Sequence, residues 1–184
     1  MKKNIIISLK LTLIMIVLCA VMYPLLIAAA GKATTGGGKG KTVSINGKVV
    51  GYENVGQKFT EDKYFNSRPS AVDYNAAGSA GSNKGTSNPH YLQIVQNRID
   101  TFLVHNPGIK KEEIPADLVT ASGSGLDPDI SPASAYVQVK RIAAVRGIAA
   151  EKVKALVDEH IAATLFGPSV VNVLKINIAL DNLK

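Results

Sequence analysis

Residues 11–30 read LTLIMIVLCAVMYPLLIAAA and carry no charged side chain. As a helix rising 1.5 Å per residue, such a run covers about 30 Å, the depth of a bilayer's hydrocarbon core. Only the Thr12 hydroxyl and the Pro24 ring interrupt it, and Pro24 lies towards one end, where local adjustment can satisfy the carbonyl it frees. The run divides the chain into a short N-terminal tail (1–10), a transmembrane helix (11–30) and a remainder that lies on one side of the membrane. A cleaved signal peptide is the competing reading, since Lys2 and Lys3 form a basic start and Ala28-Ala29-Ala30 offers small residues to a peptidase. The run exceeds the roughly 7–15 apolar residues of a signal h-region, so a retained signal-anchor is favoured.

Flanking charge favours neither orientation, because Lys2, Lys3 and Lys10 are balanced by Lys32, Lys39 and Lys41. The N-terminus is placed in the cytoplasm on the ground that a signal-anchor translocates the residues C-terminal to it. The expected location is the cell (inner) membrane, single-pass, with the main domain extracytoplasmic. A chain of 184 residues with 46% hydrophobic content suits one span and one domain of ordinary size. Its net charge drops from +7 to +4 once the three lysines of the first 30 residues are set aside. No basic run interleaved with aromatics occurs, which argues against a nucleic-acid partner. Cys19, the only cysteine, falls in the span, so the domain after it has neither disulfides nor cysteine metal ligands.

Residues 31–42 form a Gly-rich tether, within which GGGKGKT (36–42) imitates a phosphate-binding loop. GxxxxGK[ST] needs Gly at position 35, where Thr35 stands, and the required strand-loop-helix context is missing. Beyond the tether, 43–184 is the extracytoplasmic domain. It opens with a hairpin, Val43 to Val50, whose Asn46-Gly47 pair suits a type I′ turn. From Phe59 to Asn88 the chain is polar and non-periodic but holds Tyr64, Phe65 and Tyr74, the pattern of a structured loop. Asn88-Pro89 starts a helix with Leu92, Val95, Ile99, Phe102 and Leu103 on one face, ending at Asn106-Pro107-Gly108. Ser131-Pro132 starts a second, through Ala135, Val139 and Ile142 to Gly147, and a third aligns Val153, Leu156, Val157, His160 and Ile161. Alternation at Leu174, Ile176, Ile178 and Leu180 predicts a final strand over Val171 to Leu180. The expected fold class is an α+β soluble domain attached to a single N-terminal transmembrane helix.

Chemistry-bearing patterns are sparse. His90, His105 and His160 lack metal-ligand spacing, and His160 sits on an apolar helical face, as a core or interface residue does. No serine begins SxxK, and Ala77-Gly78-Ser79-Ala80-Gly81 approaches GxSxG without a strand-turn-helix context. Asp127 and Asp129 precede a helix N-terminus, where acidic groups cap. The Ser122-Gly123-Ser124-Gly125 loop is the best anion-binding candidate, since small residues let backbone N–H groups converge, with Arg141 and Gln138 on the following helix able to add charge and hydrogen bonds. The other reading of this loop is a tight connection packed against the domain's own backbone.

Tyr64-Phe65, Arg68-Pro69-Ser70-Ala71, Tyr74-Asn75, Gly81-Ser82-Asn83 and Ser87-Asn88-Pro89 follow in an order that resembles the C chain of the Kdp potassium-transporting ATPase. So do Val119 to Pro128 (VTASGSGLDP), Ile130-Ser131-Pro132, Gln138 with Arg141 to Gly147, and the ending Val171 to Asp181. Two places depart: the tether is unusually rich in Gly and Lys, and Ser169-Val170-Val171 stands where that family commonly has Pro-Arg-Val. The resemblance implies a non-catalytic accessory subunit of an ATP-driven potassium uptake pump. It would assemble and stabilise the complex and act as a catalytic chaperone that raises the ATP affinity of the ATP-hydrolysing subunit. The implied partners are that P-type subunit, a potassium-channel-like subunit, a small single-span subunit and membrane lipid; ATP and potassium are met through the complex. The nucleotide-affinity role is implied for Gln138, with Arg141 beside it; Ser122, Gly123, Ser124, Gly125 and Asp127 form a candidate anion or partner loop, and Arg68, Asn83 and Asn88 are candidates for a partner surface. The alternative is a membrane-anchored exported enzyme or small-anion-binding protein using Ser122 to Gly125.

Overall fold

The computed structural model describes residues 1–183, in two compact units, Met1–Thr42 and a second that begins at Val43. The first is built on one apolar helix, Lys2–Lys32. It comprises α1 (Lys2–Ile16), a π-helical turn (Val17–Met22) and α2 (Tyr23–Lys32). The helix therefore outruns the apolar stretch and includes Lys2, Lys3 and Lys10. Pro24 explains the π-helical turn: its ring and missing N–H break the regular bond to the carbonyl four residues earlier, and a widened turn just upstream absorbs the mismatch. None of its residues is buried, as expected of a helix whose surroundings are lipid or other chains.

The second unit opens with the hairpin β1 (Thr42–Ile45) and β2 (Lys48–Tyr52). Asn46 (φ 49°) and Gly47 (φ 79°) both take positive φ, the I′ geometry that matches the twist of paired strands. Gln57 Nε2 donates to the Val50 carbonyl at 3.1 Å and ties the ribbon to the loop beyond it. Helix α3 (Pro89–His105) is capped by Asn88, whose side chain accepts from the Tyr91 N–H at 3.0 Å.

The predicted second helix is two: α4 (Pro132–Tyr136), capped by Ser131, and α5 (Val139–Arg146). The break places Gln138 at the α5 N-cap, fully buried, where its amide bonds Ser134 of α4, Arg141 of α5 and the loop at Asn66. Then come α6 (Ala150–His160), β4 (Ile161–Ala162), β5 (Val170–Asn172) and α7 (Val173–Asn182), while β3 (Asp129–Ile130) lies before α4. The sheet order is β3-β5-β4, antiparallel, with Ile130 and Ile161 both registered on Val171. Helices α4 to α7 cover it around a core of Phe65, Ile130, Ile142, Val153, Val157, Val171, Ile176 and Leu180. Helices with two small sheets make the domain α+β.

The predicted terminal strand is corrected: only Val170–Asn172 is extended, and Val173–Asn182 is helical. Asn172 caps the helix by accepting the Lys175 N–H at 3.1 Å. The buried set Val173, Leu174, Ile176, Asn177 and Leu180 has helical spacing, and Ile178, needed for the alternating pattern, is left half-buried.

Candidate functional site

The long loop after the hairpin is held by polar side chains from distant elements. Asn177 on α7 brackets buried Phe65, accepting its N–H at 2.8 Å and donating to its carbonyl at 3.0 Å. One residue on, Gln138 does the same to Asn66. Its Oε1 accepts the Asn66 N–H at 2.8 Å, and its Nε2 donates to the Asn66 carbonyl at 3.3 Å and to the Ser134 carbonyl at 3.0 Å. The same Oε1 accepts from Arg141 Nη2 at 2.6 Å. Two donations and two acceptances fill the amide's capacity.

Arg141 is equally committed. Its Nε donates to Asn106 Oδ1 at 3.0 Å, its Nη2 also to Asn66 Oδ1 at 2.9 Å, and its Nη1 to the Asp62 carbonyl. Burial pushes this guanidinium below the ordinary arginine value, and the Asp62 carboxylate, 3.7 Å away, works in the opposite direction. Asp62 also meets His105 Nδ1, at the end of α3, at 2.9 Å. Between this loop and α3 lies a 540 Å³ groove walled by Asp62, Asn66, Ile94, Phe102, His105 and Asn106.

The Ser122 to Gly125 loop is wrapped by the segment around Pro69 to Gly81. The Ser122 N–H donates to the Pro69 carbonyl at 3.2 Å, Ser70 Oγ to the Gly125 carbonyl at 2.7 Å, and Ser79 Oγ to the Ser124 carbonyl at 2.9 Å. The N–H groups of Gly125 and Leu126 turn inward to the hydroxyls of Ser122 and Ser124, at 3.0 and 3.1 Å. Gly125 takes φ +68°, and a Cβ there would lie 2.6 Å from Val72 Cγ2 and 2.8 Å from the Ala80 carbonyl, so only glycine fits this approach. Arg68 anchors the same wrapping segment through Nη1 to Asp127 Oδ2 at 2.9 Å.

The structure thus brings Gln138 and Arg141 together, and brings Arg68 and Asp127 to the edge of the Ser122 to Gly125 loop. It does not join the two groups: the hydrogen bonds of Arg141 all run to Asp62, Asn66, Asn106 and Gln138. Asn88 is an α3 cap, and Asn83 is exposed, in left-handed backbone at φ 50°. His160 Nδ1 faces the Leu156 carbonyl one turn back at 2.8 Å.

Sequence reasoning missed Asn66, Asn106 and Asn177, whose partners lie far away in sequence. It also missed Asp117, which accepts from the Ser131 N–H at 2.8 Å and from the Ser134 hydroxyl at 2.6 Å. Burial pushes the Asp117 carboxyl up, but the hydrogen bonds from Ser134 and Ser131 outweigh it and hold the group below the ordinary aspartate value. Asp129 goes the other way, raised by burial and only partly offset by the amide of Asn172. Asp117 lies in the ADL turn fourteen residues before Ser131, a separation that no helical or strand period flags.

Residues 5–182 match the family model described as KdpC: K+-transporting ATPase, c chain. The chain is 62% identical over 183 residues to the potassium-transporting ATPase KdpC subunit of Flavobacterium psychrophilum, covering 99% of this chain and 100% of that one. It is 52% identical over 188 residues to the KdpC subunit of Bacteroides fragilis, with 99% and 98% covered. To the KdpC subunit of Clostridioides difficile it is 37% identical over 198 residues, with 96% and 95% covered.

Proposed function

This chain belongs to the family of K+-transporting ATPase c chains, and we propose from that membership that it assembles and stabilises an ATP-driven potassium pump and raises the pump's affinity for ATP. Being an accessory subunit of a potassium-transporting ATPase, it is not catalytic by itself. The observation that carries the reading is a match running the length of both chains, span included.

In this reading the N-terminal helix anchors the chain in the cell membrane, N-terminus in the cytoplasm, beside the ATP-hydrolysing and channel-like subunits and a small single-span subunit. The domain caps the extracytoplasmic mouth of the channel-like subunit. An exported domain does not meet cytoplasmic ATP, so its influence on ATP affinity passes through those partners. Gln138 and Arg141 then act by holding the Asp62 to Ser70 segment in the shape that the partners read. Their hydrogen-bonding groups are spent inside the domain, which favours this role over direct contact with a nucleotide. The inward-turned N–H groups of Gly125 and Leu126 likewise favour a packed connection over an anion site.

Purified pump lacking this chain is expected to lose potassium-stimulated ATP hydrolysis, and full activity without it would overturn the proposal. Titrating the full-length chain with ATP is expected to give no binding; saturable binding abolished by Ser124→Ala would favour the small-anion-binding alternative. A cysteine introduced after Lys41, with Cys19 replaced, is expected to react with an impermeant thiol reagent in intact cells. Reaction confined to broken cells would reverse the orientation.

A further inference from the structure

We propose that the tip of the β4–β5 hairpin, Leu165-Phe166, inserts into the lipid interface of the membrane that the chain's own span crosses. Leu165 is 88% exposed and Phe166 97%, which makes them the two most exposed large apolar side chains of the domain. Scattered exposed hydrophobics are ordinary, but two adjacent ones at the end of a projecting hairpin are not.

The hairpin is built to present them. Antiparallel pairing of Ile161 with Val171 and Ala162 with Val170 carries the chain out and back. Thr164 Oγ1 donates to the Pro168 carbonyl at 3.1 Å and closes the loop beneath the tip, so Leu165 and Phe166 stand outside this closure. A Cβ at Gly167 would come within 2.8 Å of Thr164 Oγ1, so glycine there lets the closure tighten. The closure restrains the loop beneath the pair, which lowers the entropic cost of burying it.

Lipid is the occupant that the remaining observations favour. No Asp, Glu, Lys or Arg occurs from Ile161 to Leu174, so the tip can enter an apolar phase without stripping water from a charge. The stretch Ala33 to Lys41 after the helix spans at most about 32 Å even fully extended. A retained span, on which this inference rests, therefore keeps the start of the domain close to the bilayer and the lipid at high effective concentration. The contact is apolar, and the domain carries almost no net charge, so docking should not depend on anionic lipid.

The chain contains no tryptophan, so a single introduced indole reports alone. Full-length Phe166→Trp, reconstituted in phosphatidylcholine vesicles, is expected to emit to the blue of an exposed indole. It should lose roughly half its intensity when the lipid is brominated near the top of its acyl chains, in neutral and anionic vesicles alike. Tyr23→Trp, in the apolar helix, is the control for the anchor. Quenching at position 23 without quenching at 166 overturns the docking and leaves the span intact; absence of both overturns the retained span itself. In the assembled pump, a blue-shifted Phe166→Trp that bromine does not quench would mean that a protein partner covers the tip, and would also overturn the proposal. Leu165→Ser added to Phe166→Trp should reduce the quenching several-fold, and unchanged quenching would count against insertion.

Discussion

Gln138 and Arg141 meet at one atom: Gln138 Oε1 accepts the Arg141 guanidinium at 2.6 Å while accepting the Asn66 N–H at 2.8 Å. The pair, one helical turn apart, is the clasp that joins the α4–α5 break to the long loop after the hairpin. Removing either partner leaves buried donors unsatisfied, which costs more than the bond itself contributes.

Gln138→Ala is expected to destabilise the chain by about 2–4 kcal/mol, because it leaves the Asn66 N–H and an Arg141 N–H without acceptors. Asn66→Ala keeps the backbone N–H and carbonyl that Gln138 brackets but removes the Oδ1 acceptor of the same Arg141 Nη2, so the two substitutions meet at Arg141 and the double variant should cost about 1 kcal/mol less than the two singles added. Urea unfolding of the full-length chain in detergent measures both quantities, and strict additivity would show that the two residues do not act as one network.

Glycines 123 and 125 make a controlled pair. Gly125→Ala combines a left-handed backbone with an impossible Cβ position and should cost about 2–4 kcal/mol. Around Gly123 a Cβ meets nothing within 4 Å, so Gly123→Ala should stay within about 0.5 kcal/mol of the parent. Thermal melting of the two variants side by side tests the contrast; equal stabilities would contradict the close wrapping of this loop.

The Arg68–Asp127 ion pair, with both side chains 27% exposed, is partly screened and should show a coupling of only about 1 kcal/mol in a double-mutant cycle. Raising the salt concentration should shrink that coupling without removing the hydrogen bond from the Asp129 N–H to Asp127 Oδ1. A coupling that ignores salt would point to the packing of Arg68 instead of its charge.

Asp117 carries a pH signature. Its folded value lies below the ordinary 3.8, so the unfolded chain binds its proton first and the stabilising contribution is complete above that ordinary value. It is lost as pH falls through the folded value. Asp129 has the opposite sign: its raised folded value favours the protonated form, so lowering the pH relieves part of its burial cost. Asp117→Asn should therefore flatten the acid side of the stability curve, and Asp129→Asn should steepen it, in denaturation midpoints followed from neutral pH downwards.

Features written into neighbouring residues could be read directly. The apolar run needs only composition and length, the Asn46-Gly47 turn only its own backbone preference, and the Asn88 and Ser131 caps only a side chain and the N–H three residues on. The terminal segment misled because Leu174, Ile176, Ile178 and Leu180 satisfy a period of two, while Val173, Ile176, Asn177 and Leu180 satisfy a helical one. The Asn172 cap and burial against α6 and β5 decide for the helix.

The sequence by itself determined that the chain has one span-length apolar helix, a hairpin start and the residue order of its family, because each depends on local chemistry or on a motif. Only the tertiary structure decided where the polar side chains go. It turned the N–H groups of Gly125 and Leu126 onto the loop's own serines, committed Arg141 to Asp62, Asn66 and Asn106 away from that loop, and left Leu165 and Phe166 outside the core. The physical reason is that a buried amide or guanidinium must find partners wherever the fold brings them within hydrogen-bonding reach, and that distance in space is not written in spacing along the chain.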